Sequence, residues 1–330
     1  MAGRDLPATV CKLGRCLGLA ALCAALLVPF ARAQDFPSRS VKIVVPTPIG
    51  GGPDALARVL AARLSQKWHQ PVIVENIPGA TGNLSAETAF KAAPDGHTLF
   101  VTGPPPLVIA PNLDPKLAFD PGAFVAVSIL IRTPIAVVAG QACPAKALAE
   151  LIDRARQDPG KVTAANHGVG SVGHIVAEWF EVAADVKFTH VPFRGSAAAK
   201  RALIGGSVET MFGTIGPLLP VMAGQLTVLA VAGEKRLAAL PDVPTLAETL
   251  PGVVTATWIA AVAPPRTPPA IVERLNADIV EALKDPRTVR LVEELASEVV
   301  GTTPPQAAAA FLRAERERWR SIIRQARVRL

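Results

Sequence analysis

Four glycine-rich stretches carry the residue types that could bind or react: Pro48-Ile49-Gly50-Gly51-Gly52-Pro53-Asp54, Pro78-Gly79-Ala80-Thr81-Gly82-Asn83, the run HGVGSVGH from His167 to His174, and Arg194-Gly195-Ser196. A nucleotide P-loop needs a lysine for phosphates and a hydroxyl for magnesium, in the pattern G-x-x-x-x-G-K-[ST]. Gly52 is followed instead by Pro53, Asp54 and Ala55, and GGGPDA also lacks the G-x-G-x-x-G spacing of a dinucleotide fold. Ser171 lies between glycines, but Val169-Gly170-Ser171-Val172-Gly173 misses the G-x-S-x-G nucleophile elbow at its first position. An exported serine hydrolase with His174 as base is the enzyme alternative, and that mismatch argues against it. His69, His97, His167, His174 and His190 show no paired metal-ligand spacing, and Cys143 precedes a proline in a loop. No catalytic residue, metal site or cofactor is expected.

What survives is the physics of a helix start. The first amides of a helix have no internal partner, the helix dipole puts partial positive charge there, and glycine lets a ligand approach the backbone. Pro53 suits the first helical position, where its missing N–H costs nothing. A lone GGG is also what a plain strand-to-helix turn uses; recurrence at three further junctions favours an anion cradle. Hydrogen bonds to charged groups contribute roughly 1.5 to 3 kcal/mol each, and micromolar affinity needs about 8 kcal/mol. Four or five amide or hydroxyl contacts suffice for a carboxylate.

The elements around these loops follow one grammar. A β-branched apolar run ends in a glycine or proline turn, and an alanine-rich helical pattern follows: VKIVVPTPIGGG leads into PDALARVLAARLSQKW, and PVIVENIPGATGN into LSAETAFKAA. Leu56, Leu60 and Leu64 share one helical face with Arg58 and Arg63 off it. A second set begins after SILIRTPIAVVAG, where KVTAANHGVGSVG precedes HIVAEWFEVA and FTHVPFRG precedes SAAAKRALIGG. Strands alternating with helices predict an α/β fold with mostly parallel sheets, in two lobes. In such sheets the loops at the carboxyl ends of the strands gather where ligands bind. Thr303-Pro304-Pro305 opens a last helix whose Phe311, Trp319 and Ile323 face the core.

Arg4, Lys12 and Arg15, the apolar run from Cys16 to Phe30 and Ala31-Arg32-Ala33 together read as a secretory signal peptide cleaved near Ala33. The run is shorter than the roughly 20 residues of a spanning helix. Its removal leaves 297 of the 330 residues, 30 basic against 26 acidic, and Cys143 as the single cysteine. A net charge of +4 gives little support to nucleic-acid binding, and one thiol forms no internal disulfide.

The strings VVPTPIGGGPDALAR, VENIPGATGNLSAETAFKAAPDGHTL, GVGSVGHIVAEWF, HVPFRGSAAA and LAVAGEKRLAALPDVPTLAE, in this order, resemble the Bug-type extracytoplasmic solute receptors of tripartite tricarboxylate transporters. The resemblance spans about Phe36 to Arg327. It implies a monomeric periplasmic binding protein of the type II-like, two-lobed class, with a signal peptide over 1–33, one lobe from 34–137 plus 256–330 and the other from 138–255. It implies no catalysis, a small carboxylate in the interlobe cleft, and large and small integral membrane subunits as partners. Carried over by position, the ligand loops are Pro48, Ile49, Gly50, Gly51, Gly52 and Asp54, then Gly79, Ala80 and Gly82. From the second lobe come Gly170, Ser171, His174, Gly195, Ser196, Gly213 and Thr214. Asp54 is expected to brace its loop, since its charge opposes an anion. The sequence departs from the family pattern at Ile49, Gly52, Ser85, Phe193, Pro104 to Pro106 and Gly213-Thr214; of these, Ile49, the prolines and Thr214 predict a more apolar cleft wall, suited to a monocarboxylate with an apolar or aromatic body. A receptor handing its ligand-bound form to a signalling partner is the alternative output.

Overall fold

In the computed structural model, which describes residues 36–216 and 225–328, strand β1 (Val41–Val45) is buried at every position but Lys42. The expected leader over residues 1–33 lies outside the described residues. A strand covered on both faces must be apolar almost throughout, which VKIVV is. Helix α1 (Gly52–Trp68) follows the glycine turn with a proline in its first turn, and Leu56, Leu60, Leu64 and Trp68 form its buried stripe. Arg58 and Arg63 are exposed on the other side.

The same step repeats through β2 (Val72–Asn76), α2 (Asn83–Phe90) and β3 (Thr98–Thr102), and the long strand β4 (Val125–Pro134) then leaves this group. The second group comprises β5 (Ala136–Ala139), α3 (Leu148–Gln157), β6 (Thr163–Asn166), α4 (Val172–Ala184), β7 (Thr189–Pro192), α5 (Ser196–Ile204), β8 (Thr210–Gly213) and β9 (Thr227–Val231). The chain returns with β10 (Ala256–Ala263), α6 (Pro269–Leu283), α7 (Pro286–Glu294), β11 (Glu298–Val299) and α8 (Pro305–Gln325).

Two sheets result, ordered β11-β4-β10-β3-β1-β2 and β7-β6-β8-β5-β9. Pairing is parallel where a helix intervenes, at β1/β2, β1/β3, β6/β7 and β6/β8. It is antiparallel at β4, β5, β9 and β10. Strand-helix alternation predicts mostly parallel sheets; the sheets are evenly mixed because β4, β5, β9 and β10, which carry the chain between them, pair antiparallel with their neighbours. Ile135 alone separates β4 from β5, so Ala136 and Val137, expected in the first lobe, pair with β8 and β9 in the second sheet. Nothing in the apolar run SILIRTPIAVV marks that step except Pro134, which lacks a donor for the ladder. The return crossing is tied by the Thr255 amide donating to the Ala232 carbonyl at 2.6 Å.

One contiguous apolar core links the sheets, including Phe100 and Trp258 from the first and Phe180 and Phe212 from the second. Helix α8 closes it. Trp319 and Trp258 are fully buried and both indole N–H groups donate to Glu315 Oε2, at 3.1 and 2.7 Å. Glu315→Ala therefore leaves two buried donors without an acceptor and is expected to cost on the order of 3 kcal/mol of unfolding free energy, measured by urea denaturation.

Candidate ligand-binding cleft

Between the two sets of strand ends lies a cleft of about 1010 Å³. The first sheet contributes the loops after β1, β2 and β3, the second those after β6, β7 and β8, and Ile131, Thr133 and Ile135 from the outgoing crossing with Thr257 and Trp258 from β10 complete the lining. Of the residues expected from sequence, Pro48, Gly52, Gly79, Ala80, Gly82, Gly170, Ser171, Gly195, Ser196, Gly213 and Thr214 line this space. Ile49, Gly50, Gly51, Asp54 and His174 are not among the lining residues.

The loop after β1 explains the difference. Asp54 is buried, and its carboxylate accepts from the Gly50 amide at 2.9 Å and from Asn76 Nδ2 at 2.8 Å while pairing with Arg58 at 2.9 Å. Asn76 also donates to the Thr47 carbonyl. The Gly51 amide donates to the Pro48 carbonyl at 3.1 Å, so the N–H groups of Gly50 and Gly51 are spent inside the turn. A Cβ on Gly51 would meet the Thr47 side chain at 2.8 Å, so this glycine is required by packing. Gly52 is the glycine of the three that faces the cleft, and a Cβ there would have nothing within 4 Å. Ile49 is 76% exposed and forms no wall; Pro104, Pro105 and Pro106 supply the apolar lining instead.

The loop after β2 holds a run of left-handed residues: Gly79, Ala80, Thr81 and Gly82 all have positive φ, with Ala80 at 46° and Thr81 at 53°. Such a conformation is uphill for residues with a Cβ and clusters at binding loops. Ser85, buried at the foot of this loop, donates its hydroxyl to the Gly82 carbonyl at 2.8 Å. The Thr81 hydroxyl crosses the cleft and donates to the Val169 carbonyl at 2.7 Å, joining loops of the two sheets.

On the second sheet, Ser171 caps α4 by accepting the His174 amide at 3.3 Å. The His174 imidazole turns away from that hydroxyl: Nδ1 accepts weakly from the Gly170 amide at 3.5 Å, and Nε2 lies 3.7 Å from Glu178 Oε1. A serine nucleophile paired with this base is thus not assembled. Burial, then the charge of His190, hold the His174 imidazole down at about 4. Gly173 is irreplaceable for a different reason, since a Cβ there would lie 2.1 Å from the Phe212 carbonyl oxygen.

No spacing along the chain pairs these histidines, yet the rings of His174 and His190 have centroids 5.3 Å apart. His167, which no catalytic or metal-ligand motif singles out, lines the cleft beside Gly213; burial, then the Lys200 charge, push its imidazole down to about 4, so it is neutral near pH 7. Thr47 Oγ1, Asn83 Oδ1 and His167 Nε2 are buried atoms on cleft-lining residues that make no hydrogen bond to the protein. Native proteins rarely leave such atoms unpaired. Arg194 lies exposed at the same cleft and forms no ion pair among the described residues. The signal for His167 was its position as the first residue of a loop already singled out; no spacing rule identifies Thr47 or Asn83.

Two mixed α/β sheets joined by two crossings, with loops converging on a cleft, define the class of periplasmic binding proteins, which the solved structures it resembles share. Residues 56–328 match the model of the tripartite tricarboxylate transporter family receptor. The protein BugT of Bordetella pertussis is 32% identical, covering 90% of this chain and 92% of its own. A protein from R. palustris solved with adipate superposes with a TM-score of 0.84 at 32% identity, covering 89% of this chain and 99% of its own. MatC from Rhodopseudomonas palustris with bound malate gives a TM-score of 0.80 at 33% identity over 87% of this chain and all of its own. The chain belongs to the tripartite tricarboxylate transporter receptor family.

Asp54 makes the first loop sensitive to acid. Burial pushes its carboxyl up, but the bonds from Arg58, Gly50 and Asn76 outweigh this and leave it below the usual value. A lowered carboxylate pKa stabilises the fold above its unfolded value of about 3.9, and the contribution disappears as pH falls through the folded value. Asp54→Asn is expected to melt earlier than the unaltered protein at pH 7, with the difference shrinking below about pH 4, in a pH series of thermal melts.

Proposed function

We propose that this receptor captures a small carboxylate in the cleft, using Gly52, the loop 79–82, Gly170, Ser171, Gly195, Ser196, Gly213 and Thr214, and delivers it to the large and small membrane subunits of a tripartite transporter. The observation that supports this reading is the cleft ringed by amide-rich loops of both sheets, with Thr47, Asn83 and His167, each carrying a buried polar atom without a protein partner, among its lining residues. In this reading Asn83 presents its amide N–H face and His167 its Nε2–H, both as donors to carboxylate oxygens, because side-chain amide and imidazole orientations follow the partner they bind. Arg194 at the rim steers anions inward through longer-range attraction.

The prolines 104 to 106, with Ile131, Ile135 and Phe193, favour the apolar or aromatic body of a monocarboxylate over a second or third charge. Adipate and malate, each bound by a relative of about one-third identity, show the ligand class in the family. The two groups 36–135 and 256–328, and 136–255, act as lobes that close on the ligand, with the Thr81 to Val169 bond as a latch. The chain works as a monomer in the periplasm, reached through the leader cleaved near Ala33.

A thermal-shift screen against mono-, di- and tricarboxylates tests this. A cognate acid at 100 times its Kd should stabilise the protein by about 2.7 kcal/mol. The shift should fall by about tenfold in apparent affinity in His167→Ala, which removes one charge-assisted bond. Gly52→Val should also weaken it without loss of the fold, because the added side chain enters the cleft. No shift with any carboxylate, or shifts untouched by both variants, refutes the reading; tight citrate binding with none for aromatic acids refutes the apolar wall.

A further inference from the structure

His174 and Glu178, four residues apart on α4, meet His190 from β7 in a half-buried cluster that does not line the cleft. Glu178 Oε1 is 3.7 Å from His174 Nε2 and 3.5 Å from His190 Nε2, and ligand-capable atoms of all three lie within 4.8 Å of one another. We propose that His174, Glu178 and His190 bind a divalent transition-metal ion of the zinc class.

The donor set decides the class of ion. Two imidazole nitrogens with one carboxylate suit zinc and its neighbours, whereas magnesium and calcium require oxygen ligands nearly throughout. Tetrahedral zinc at bond lengths of 2.0 to 2.2 Å places its ligand atoms about 3.4 Å apart. The two measured separations are already close to that, and the third closes by side-chain rotation. Three protein ligands leave a fourth position for water.

Charge points the same way. Glu181 sits against the cluster, with Oε1 3.1 Å from His190 Nε2, and accepts from the Phe188 amide at 2.5 Å and Lys187 Nζ at 3.0 Å. Glu178 and Glu181 place two carboxylates at this cluster against the single ammonium of Lys187, an arrangement that accepts a cation. Metal ligation at His190 Nε2 would move that ring's proton to Nδ1, a buried atom without a partner in the protein, and free Glu181 Oε1 to accept from a metal-bound water. Ligation at His174 Nε2 moves that ring's proton to Nδ1, where it opposes the Gly170 N–H; the bond given up is the 3.5 Å contact, a weak one. Because Gly170 lines the cleft, the metal site touches the ligand site through this one amide.

The test uses tag-free protein stripped with a chelator and titrated with zinc chloride by calorimetry. One ion per chain is expected, with binding weakened at least about tenfold in Glu178→Gln and in His190→Gln. His69→Gln, an exposed histidine elsewhere, should leave it unchanged. Cobalt chloride added to the unaltered protein should give the intense visible absorption of a tetrahedral ion, lost in His174→Gln; this reading does not depend on any variant's folding. Absence of zinc binding, affinity indifferent to Glu178 and His190, or a weak octahedral cobalt spectrum overturns the proposal.

Discussion

The cleft depends on keeping loop amides where they are while no helix or strand pairs them. Each glycine loop solves this by spending some of its N–H groups on an internal acceptor so that the remainder are held in place. Asp54 is the clearest case: buried, bonded to Gly50, Asn76 and Arg58, it ties the end of β1 to the start of α1 and to β2. Its negative charge sits one layer behind the cleft and is neutralised by Arg58. Ser171 does the equivalent work on the second sheet as the cap of α4. A site of this kind recognises charge through preorganised dipoles, whose reorganisation cost was met during folding.

The two sheets are not independent bodies strung on linkers. A shared apolar core runs between them, and α8 lies against both the strands of the first sheet and α4 of the second. In the proposed closure the two crossings, at Ile135 and between Ala232 and Thr255, would carry the movement, while the packed side resists separation. On the open side, contacts among the described residues include the Thr81 to Val169 bond and the approach of Pro48 to Gly195. A packed core on one side and a cross-cleft hydrogen bond on the other suit the proposed hinge and latch.

Several glycines with the same letter have different jobs. Gly51 and Gly173 are demanded by close approach, of Thr47 in one case and the Phe212 carbonyl in the other. Gly50 and Gly82 adopt positive φ. Gly52 is required by neither and borders the cleft with open space. A motif read along the chain treats all of these as one feature, whereas in the GGG run Gly52 borders the cleft and the amides of Gly50 and Gly51 are bonded inside the turn.

What the amino-acid sequence determined by itself was local: alternating apolar strands and amphipathic helices, proline at helix starts, glycine at the junctions and thus an α/β chain with its loops at strand ends. Periodicity and turn chemistry act over a few residues, so they are legible in order along the chain. Tertiary structure alone decided the mixed pairing, because β10 returns beside β3 and β4 from more than a hundred residues away. It also decided which buried polar atoms of cleft-lining residues end up without partners. Thr47, Asn83 and His167 carry no distinguishing spacing, and His190 meets His174 and Glu178 only because β7 lies beside the start of α4. Whether a donor is spent or spare depends on what folding brings within 3 Å of it, which is a property of three dimensions.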